Sequence, residues 1–449
     1  MNRPLAQWLV PVKRRDLGNY ALASMALALT PSFLRSPFPF GQALLVDSGR
    51  LNRRLSALAQ FSSSADGTTR LAYSDEDLAA REWLTDILHK LGTEVSVDLG
   101  GNLLAYRHGS DPSAPPIMLG SHIDSVPAGG SFDGQVGSMG ALEVLATLAD
   151  AKHMTRHPLE FVVWANEEGG KTGSRAIAGE VTETELDIVT ASGLTIEEGT
   201  RRIGGDLTRL ADARRQSNSL TAYLELHIEQ GFVLDRRNVD IGVVEGIVGI
   251  KRWTVTVNGF ANHAGTTPMD QRQDALVTSA RIIDAVNQIA LETPGRQVAT
   301  VGRIEIDPGA PNVIPGRVTF SLEIRDLEMV KIDLIFEQIQ AEAARIATDL
   351  DTEVTLEQFY ESRAAPTDQR LRNVIEAECG RLGLSSIRMP SGAGHDAQSV
   401  ALLAPVGMIF VPSHDGISHS PLEFTSPEQV TAGANVLLKT LLTLDEEIL

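Results

Sequence analysis

From residue 74 onward, short apolar runs alternate with amphipathic segments, and that alternation admits few folds. SDEDLAAREWLTDILHKLG reads as a helix, with Ser74 as N-cap, Asp77 three residues on and Gly92 as terminator. Leu84, Ile87, Leu88 and Leu91 form its apolar face. EVSVDL and NLLAYR read as strands, PIMLGS and LEFVVWANEE as buried strands, and LEVLATLADA as a helix. Strands alternating with helices predict a largely parallel sheet covered on both faces. The middle breaks this rhythm. KRWTVTV, DALVTSARIIDAVNQIAL, VATVGRIEI, RVTFSLEIR, LEMVKIDLIFEQIQAEAARIATDL and EVTLEQFY run β-α-β-β-α-β, the order of a ferredoxin-like unit. The expected organisation is an α/β domain in two parts, residues 46–249 and 363–449, with a small α+β domain inserted over 250–362. The 449 residues are too many for one core and enough for two domains.

The net charge of −19, with no Lys/Arg block to offset it, argues against a nucleic-acid partner. One cysteine, Cys379, excludes an internal disulfide framework. Residues 1–45 stand apart from the rest. Lys13-Arg14-Arg15 precedes the mostly apolar LGNYALASMALALTPSFL, the pattern of a twin-arginine export signal. Asn19 and Tyr20 interrupt the apolar run, and no small-x-small cleavage site precedes Gly41. An N-terminal extension of a cytoplasmic protein is the expected reading, with export as the alternative. No later run approaches the ~20 apolar residues of a membrane helix.

The chemistry gathers at strand ends. His122 and Asp124 in GSHID follow PIML, where ligand sites of open α/β sheets form. Asp133, in GGSFDGQVG, stands before the LEVLATL helix. Glu167 and Glu168 end the run Phe161-Val162-Val163-Trp164. Adjacent carboxylates repel unless a cation binds there. On an extended segment neighbouring side chains diverge, so one glutamate would hold a metal and the other would serve as base. LELHIEQG supplies His227, and SHDGISHSP supplies His414 and His419. Each residue alone also reads as a cap or a polar loop residue. As a set, His122, Asp133, Glu168, His227 and His419 are donors suited to Zn²⁺, Mn²⁺, Co²⁺ or Ni²⁺. They suffice for two ions if one carboxylate bridges. His89, His108, His153 and His157 match no motif and are expected at the surface.

GSHIDSVPAGGSFDG, ANEEG, HIEQG, ANHAGTTPMDQRQDA, SGAGHDA and ISHSPLE occur in that order, and the chain resembles the hydantoinase/carbamoylase family of amidases over residues 48–446. That family holds N-carbamoyl-amino-acid hydrolases, β-ureidopropionases and allantoate amidohydrolases, within the wider clan of dinuclear zinc exopeptidases. The resemblance implies a zinc-exopeptidase-like catalytic domain with an inserted dimerisation (lid) domain. It implies two divalent ions: His122 and His227 on one, Glu168 and His419 on the other, and Asp133 bridging. It gives Glu167 as general base and His263 as oxyanion stabiliser in the site of a partner subunit. Gln230, Asn312, Arg325 and His395 would contact substrate, Arg325 through its carboxylate.

The implied reaction is hydrolysis of the carbamoyl C–N bond of an N-carbamoyl-L-amino acid or N-carbamoyl-β-alanine, with allantoate as the alternative ureido substrate. A homodimer is implied, and no membrane partner. A peptidase or deacylase of the clan is disfavoured by His227, where exopeptidases tend to carry a carboxylate. A non-catalytic relative is disfavoured by the intact ligands and base. The chain departs from the family in one place. After the glutamates it reads GGKTGSRAIAG, where many relatives have Gly-Ser-Arg-Phe directly, so the pocket wall is expected to differ there.

Overall fold

The computed structural model describes residues 44–446, and the N-terminal segment read as an extension or export signal lies outside the described residues. Along the chain come β1 (Glu94–Val97), β2 (Leu103–Arg107), β3 (Ile117–His122), β4 (Leu159–Trp164), β5 (Ala222–Ile228) and β6 (Ile241–Ile247). Then follow β7 (Gly249–Asn258), β8 (Asn262–His263), β9 (Val298–Thr300), β10 (Ile304–Asp307), β11 (Val313–Ile314), β12 (Arg317–Asp326) and β13 (Glu353–Ser362). Last come β14 (Ala365–Pro366), β15 (Ser386–Ser391) and β16 (Val406–Val411).

The large sheet has the order β1-β2-β4-β3-β5-β16-β6-β14, with β15 beside β6. Its centre, β4-β3-β5-β16, is parallel, and antiparallel pairings occur towards the edges. Every residue of β3, β4, β5 and β16 is buried. That burial on both faces is why these strands read as largely apolar runs, interrupted in β4 by Glu160 and in β5 by Glu225 and His227. The helix Gln135–Asp150 lies against β3 and β5 and is buried from its start to Leu148. Helices Ser48–Leu58 and Pro427–Glu446 pack on it and close that core. The helix Asp75–Lys90 starts as its sequence predicts, with the Ser74 side chain accepting the Asp77 N–H.

The smaller sheet is antiparallel, in the order β10-β12-β7-β13 with β9 on β12. β7 and β12 alternate buried and half-exposed residues, as a sheet with one packed face must. Ile282 and Val286 of helix Ala275–Glu292, and Ile332, Ile335 and Ile339 of helix Met329–Asp349, cover that face. Trp253 stacks on Phe336, with ring centroids 4.2 Å apart.

Four local readings are corrected. VATVGRIEI is two strands, broken at Val301-Gly302-Arg303. The helix expected from LEVLATLADA begins earlier, at Gln135. β4 stops at Trp164, so Glu167 and Glu168 do not extend it. They sit in a turn, in which the Gly170 and Lys171 N–H groups donate to the Glu167 carbonyl at 3.0 and 2.9 Å. His157 is buried rather than at the surface, its Nδ1 bonded to the Pro115 carbonyl at 2.9 Å. No described helix is long and apolar enough to cross a membrane.

Candidate metal centre

The parallel strands deliver their C-terminal ends to one edge. His122 closes β3, opposite Trp164 of β4. His227 in β5 is paired with Phe410 of β16, whose following loop carries His419. Asp133 precedes the long buried helix by two residues. Gly134 between them has φ 65°, and a Cβ there would stand 2.3 Å from His122 Nε2. Only glycine lets the backbone pass so close to that imidazole.

Asp133 is the centre of the arrangement. Its Oδ1 lies 3.5 Å from His122 Nε2 and 3.2 Å from His227 Nε2. Its Oδ2 lies 3.4 Å from His419 Nε2, which is 3.5 Å from Glu168 Oε2. Two triplets spaced to hold a cation result, His122/Asp133/His227 and Asp133/Glu168/His419, and they share Asp133. A third close group, Glu225/His227/His395, lies buried beside them.

The imidazoles are presented as ligands. His122 Nδ1 meets the Asp124 carbonyl at 3.1 Å, and His227 Nδ1 meets the Ile228 carbonyl at 2.9 Å. A carbonyl only accepts, so each Nδ1 carries a proton; in the neutral Nδ1–H tautomer, the form that binds a metal, the Nε2 lone pair faces Asp133. The Gly134 N–H donating to His227 Nε2 at 3.2 Å agrees with that tautomer. Two carboxylates and three imidazoles turned towards them by Nε2 fit divalent zinc-like cations.

Glu167 belongs to neither triplet. Its Oε2 is 3.8 Å from His122 Nε2. The Asp124 carboxylate accepts the N–H groups of both glutamates, at 3.3 Å for Glu167 and 3.1 Å for Glu168. One buried acid thus fixes the turn that carries them. Asn166, Lys171, Gln230 and His419 all have positive φ, from 53° to 58°. Left-handed backbone at non-glycine residues costs about 1–2 kcal/mol each and gathers at functional sites.

Electrostatics follow from crowding. Burial favours a neutral Asp133, but hydrogen bonds with His122, His227 and His419 hold its carboxyl well below the usual range. Burial, then Glu167 and Asp133, push Glu168 up to about 8. The hydrogen bond to Asp133 outweighs partial burial and raises His419 to about 9. Burial raises Glu167 too, opposed by His122 and Lys171. Burial and the neighbouring His227 hold His395 far below the ordinary imidazole value, so it is neutral.

These shifts predict a pH effect on the metal-free protein. Glu168 and His419 both bind protons more tightly folded than unfolded. The stability each contributes is full below its unfolded pKa and is lost as pH rises through its folded pKa. Between about pH 6.5 and pH 8 both effects lower stability, and from there to about pH 9 His419 alone continues to do so. Metal binding requires the deprotonated ligands, so the melting-temperature gap between metal-loaded and metal-free protein should widen over that range. Thermal melts at matched ionic strength check this, and a gap that narrows would remove Glu168 and His419 from the ligand set.

The expected substrate contacts divide. Gln230 joins the centre, its Nε2 donating to Asp133 Oδ2 at 2.6 Å. His395 joins it as well, its ring centroid 4.4 Å from that of His227. Arg325 donates through Nη1 to the Gly392 carbonyl at 2.6 Å and through Nε to Glu323 at 2.7 Å. Gln230, Arg325 and Gly392 line one cavity of about 520 Å³. His263 and Asn312 stand elsewhere. Both are exposed at the small two-stranded β8–β11 sheet, where the Ala264 N–H donates to the Asn312 carbonyl. Within this chain they touch none of the cluster. Sequence reasoning assigned no role to Asp124, Ser418 or Glu423. Ser418 Oγ donates to Asp133 Oδ2 at 3.0 Å, and Glu423 accepts the Phe132 and Asp133 N–H groups at 2.9 and 3.0 Å. Asp124 lies two residues after His122, and Ser418 and Glu423 lie beside His419 in ISHSPLE, so the signal was their place within those motifs.

The family model of peptidase family M20/M25/M40 matches residues 118–443. An N-carbamoyl-L-amino acid amidohydrolase of Geobacillus stearothermophilus is 37% identical over 88% of this chain and 98% of its own length. An allantoate amidohydrolase of Bacillus subtilis is 34% identical over 86% of this chain and 94% of its own. The crystal structure of a hydantoinase/carbamoylase family amidase from Burkholderia multivorans superposes with a TM-score of 0.84 at 37% identity, covering 91% of this chain and all of that one. The chain belongs to peptidase family M20/M25/M40, a family of metal-dependent hydrolases, and within it to the hydantoinase/carbamoylase amidases.

Proposed function

We propose that the chain hydrolyses the carbamoyl C–N bond of an N-carbamoyl-L-amino acid or N-carbamoyl-β-alanine. The observation that carries this is Asp133, one carboxylate shared by two donor triplets, with Glu167 beside them and outside both. His122 and His227 would hold one divalent ion, Glu168 and His419 a second, and Asp133 both. Such a pair, when bound, polarises a carbonyl and acidifies water. Glu167 takes the proton of the attacking water and delivers it to the leaving nitrogen. Gln230 and Arg325 orient the substrate, Arg325 by pairing with its carboxylate. His395, neutral and bonded to Ser391 Oγ at 2.8 Å, offers a hydrogen bond without adding charge. One water is consumed, and the freed carbamate falls to carbon dioxide and ammonia, leaving the amino acid.

His263 and Asn312, exposed and outside both donor triplets, suit a role in the site of a second copy. On this reading residues 250–362 form a dimerisation lid, and the partner subunit's His263 stabilises the oxyanion. Mixed dimers test it: a His263→Ala subunit combined with a Glu167→Ala subunit should regain activity that neither homodimer has. Absence of rescue would return His263 to a local role. The likeness to the Bacillus subtilis allantoate amidohydrolase supports a second reading, allantoate as substrate. One panel decides. The metal-loaded protein is expected to release ammonia from N-carbamoyl-L-amino acids or N-carbamoyl-β-alanine faster than from allantoate. The reverse order would select the second reading, and no release from any of them would defeat both.

A further inference from the structure

Two glycines follow the glutamate pair, yet a left-handed position at the end of that turn is occupied by Lys171, at φ 58° and ψ 39°. That conformation disfavours any residue with a Cβ. Its N–H donates to the Glu167 carbonyl at 2.9 Å, which roots the side chain beside the base. The ammonium donates to Gln398 Oε1. The Gln398 amide nitrogen is engaged by Ser362 Oγ at 3.1 Å and the Arg363 carbonyl at 2.5 Å, so the direction of its oxygen is set. Lys171 Nζ stands 3.1 Å from where a Cβ on Gly394 would lie. Gly392, two residues earlier in the same loop, holds Arg325 through its carbonyl. Glu167 and His395 both feel the Lys171 charge.

A cavity of about 680 Å³ opens beside this ammonium, lined also by Arg175 and Arg363 and by the carboxylates of Glu180, Glu185 and Glu361. Arg175 is neutralised by Glu185 at 2.7 Å, and Arg363 by Glu180 at 3.2 Å. Lys171 has no carboxylate within ion-pair distance among the described residues; an amide oxygen is its partner. A half-buried ammonium whose sole partner is neutral favours an incoming anion.

We propose that Lys171 determines specificity by binding a second carboxylate on the substrate, so that the preferred substrates are N-carbamoyl derivatives of amino acids with acidic side chains. This rests on the carbamoyl-hydrolysis reading above. Arg325 then takes the main-chain carboxylate and Lys171 the side-chain one, with the carbamoyl group between them at Glu167.

N-carbamoyl-L-glutamate and N-carbamoyl-L-glutamine have the same shape and differ in charge, so their kcat/KM ratio reads the interaction directly. With metal-loaded full-length protein the ratio should be about tenfold or more in favour of the acid, the size of a charge-assisted hydrogen bond. It should fall towards one in Lys171→Met and recover largely in Lys171→Arg. A wild-type ratio of one or less, or an equal loss for both substrates in Lys171→Met, would overturn the assignment. Calorimetric binding of free L-glutamate against L-glutamine needs no turnover, so it separates the two claims. If no carbamoyl compound is hydrolysed, the parent reading falls. Lys171-dependent preference for glutamate would still uphold the anion subsite, and equal binding of the two would end it.

Discussion

Glu167→Gln is expected to lower kcat by about 10³-fold while the metal content stays that of the wild type, because general-base transfer contributes roughly 10²–10⁴. The expectation depends on the division of labour within the turn. Glu168 Oε2 reaches His419 and, with Asp133, completes a donor triplet, whereas Glu167 Oε2 approaches only His122. Glutamine keeps the shape of Glu167 and the backbone N–H that Asp124 accepts, so the ligands should remain in place. Its amide cannot take a proton from water. KM for a carbamoyl substrate should move little, since the loss falls on the transition state. Metal analysis beside the kinetics decides the matter. Ions lost together with activity would make Glu167 a ligand, and near-normal turnover would leave the base to be found elsewhere.

The fold was legible because its two sheets impose different periods. β3, β4, β5 and β16 are buried on both faces and spell largely apolar runs, while β7 and β12 alternate, since only one face of their sheet is packed. The break in VATVGRIEI was hidden, as a valine-rich stretch with one glycine reads the same whether or not the ladder pauses. The glutamate pair shows a second kind of limit. Its residues were identified, but their separation was ascribed to strand alternation. What separates them is a turn set by Asn166 at φ 53° and by Asp124, an acceptor 43 and 44 residues away. Long-range acceptors leave no local pattern, and the same holds for Glu423, which braces Asp133 from 290 residues on. His157 was misjudged for a related reason. A lone histidine after Arg156 looks solvated until the Pro115 carbonyl is brought against it. The donors themselves were readable because strand ends in a parallel sheet converge, so histidines and acids at several such ends must share one edge.

Asp133→Asn should cost the protein both metal sites at once and lower kcat/KM by more than about 10³-fold, a larger change than the loss of any single terminal ligand. Each oxygen of Asp133 serves a different triplet, Oδ1 with His122 and His227, Oδ2 with His419 and Glu168. An asparagine offers one acceptor and one donor, so the NH₂ must face one of the two groups. There it meets the imidazole Nε2 lone pairs or the His419–Glu168 pair, and it repels a cation. The other group keeps an oxygen but loses its charge. Glu168→Gln touches one triplet and should remove one ion, leaving the other. Metal stoichiometry of the two variants therefore separates a bridging carboxylate from an ordinary ligand, and an Asp133→Asn protein that retained both ions would dismiss the bridge. The metal-free variant supplies an independent reading. Hydrogen bonding to Asp133 is the leading cause that raises His419, and it also helps to raise His122 and His227 against their burial. With a neutral side chain at 133 their folded pKa values fall back towards the unfolded ones, so the protons that folding takes up between pH 6.5 and 9 should decrease. The decline of metal-free stability over that interval should then flatten in Asp133→Asn relative to the wild type. An unchanged slope would mean that the carboxylate at 133 does not hold the three imidazoles in their folded-state charge.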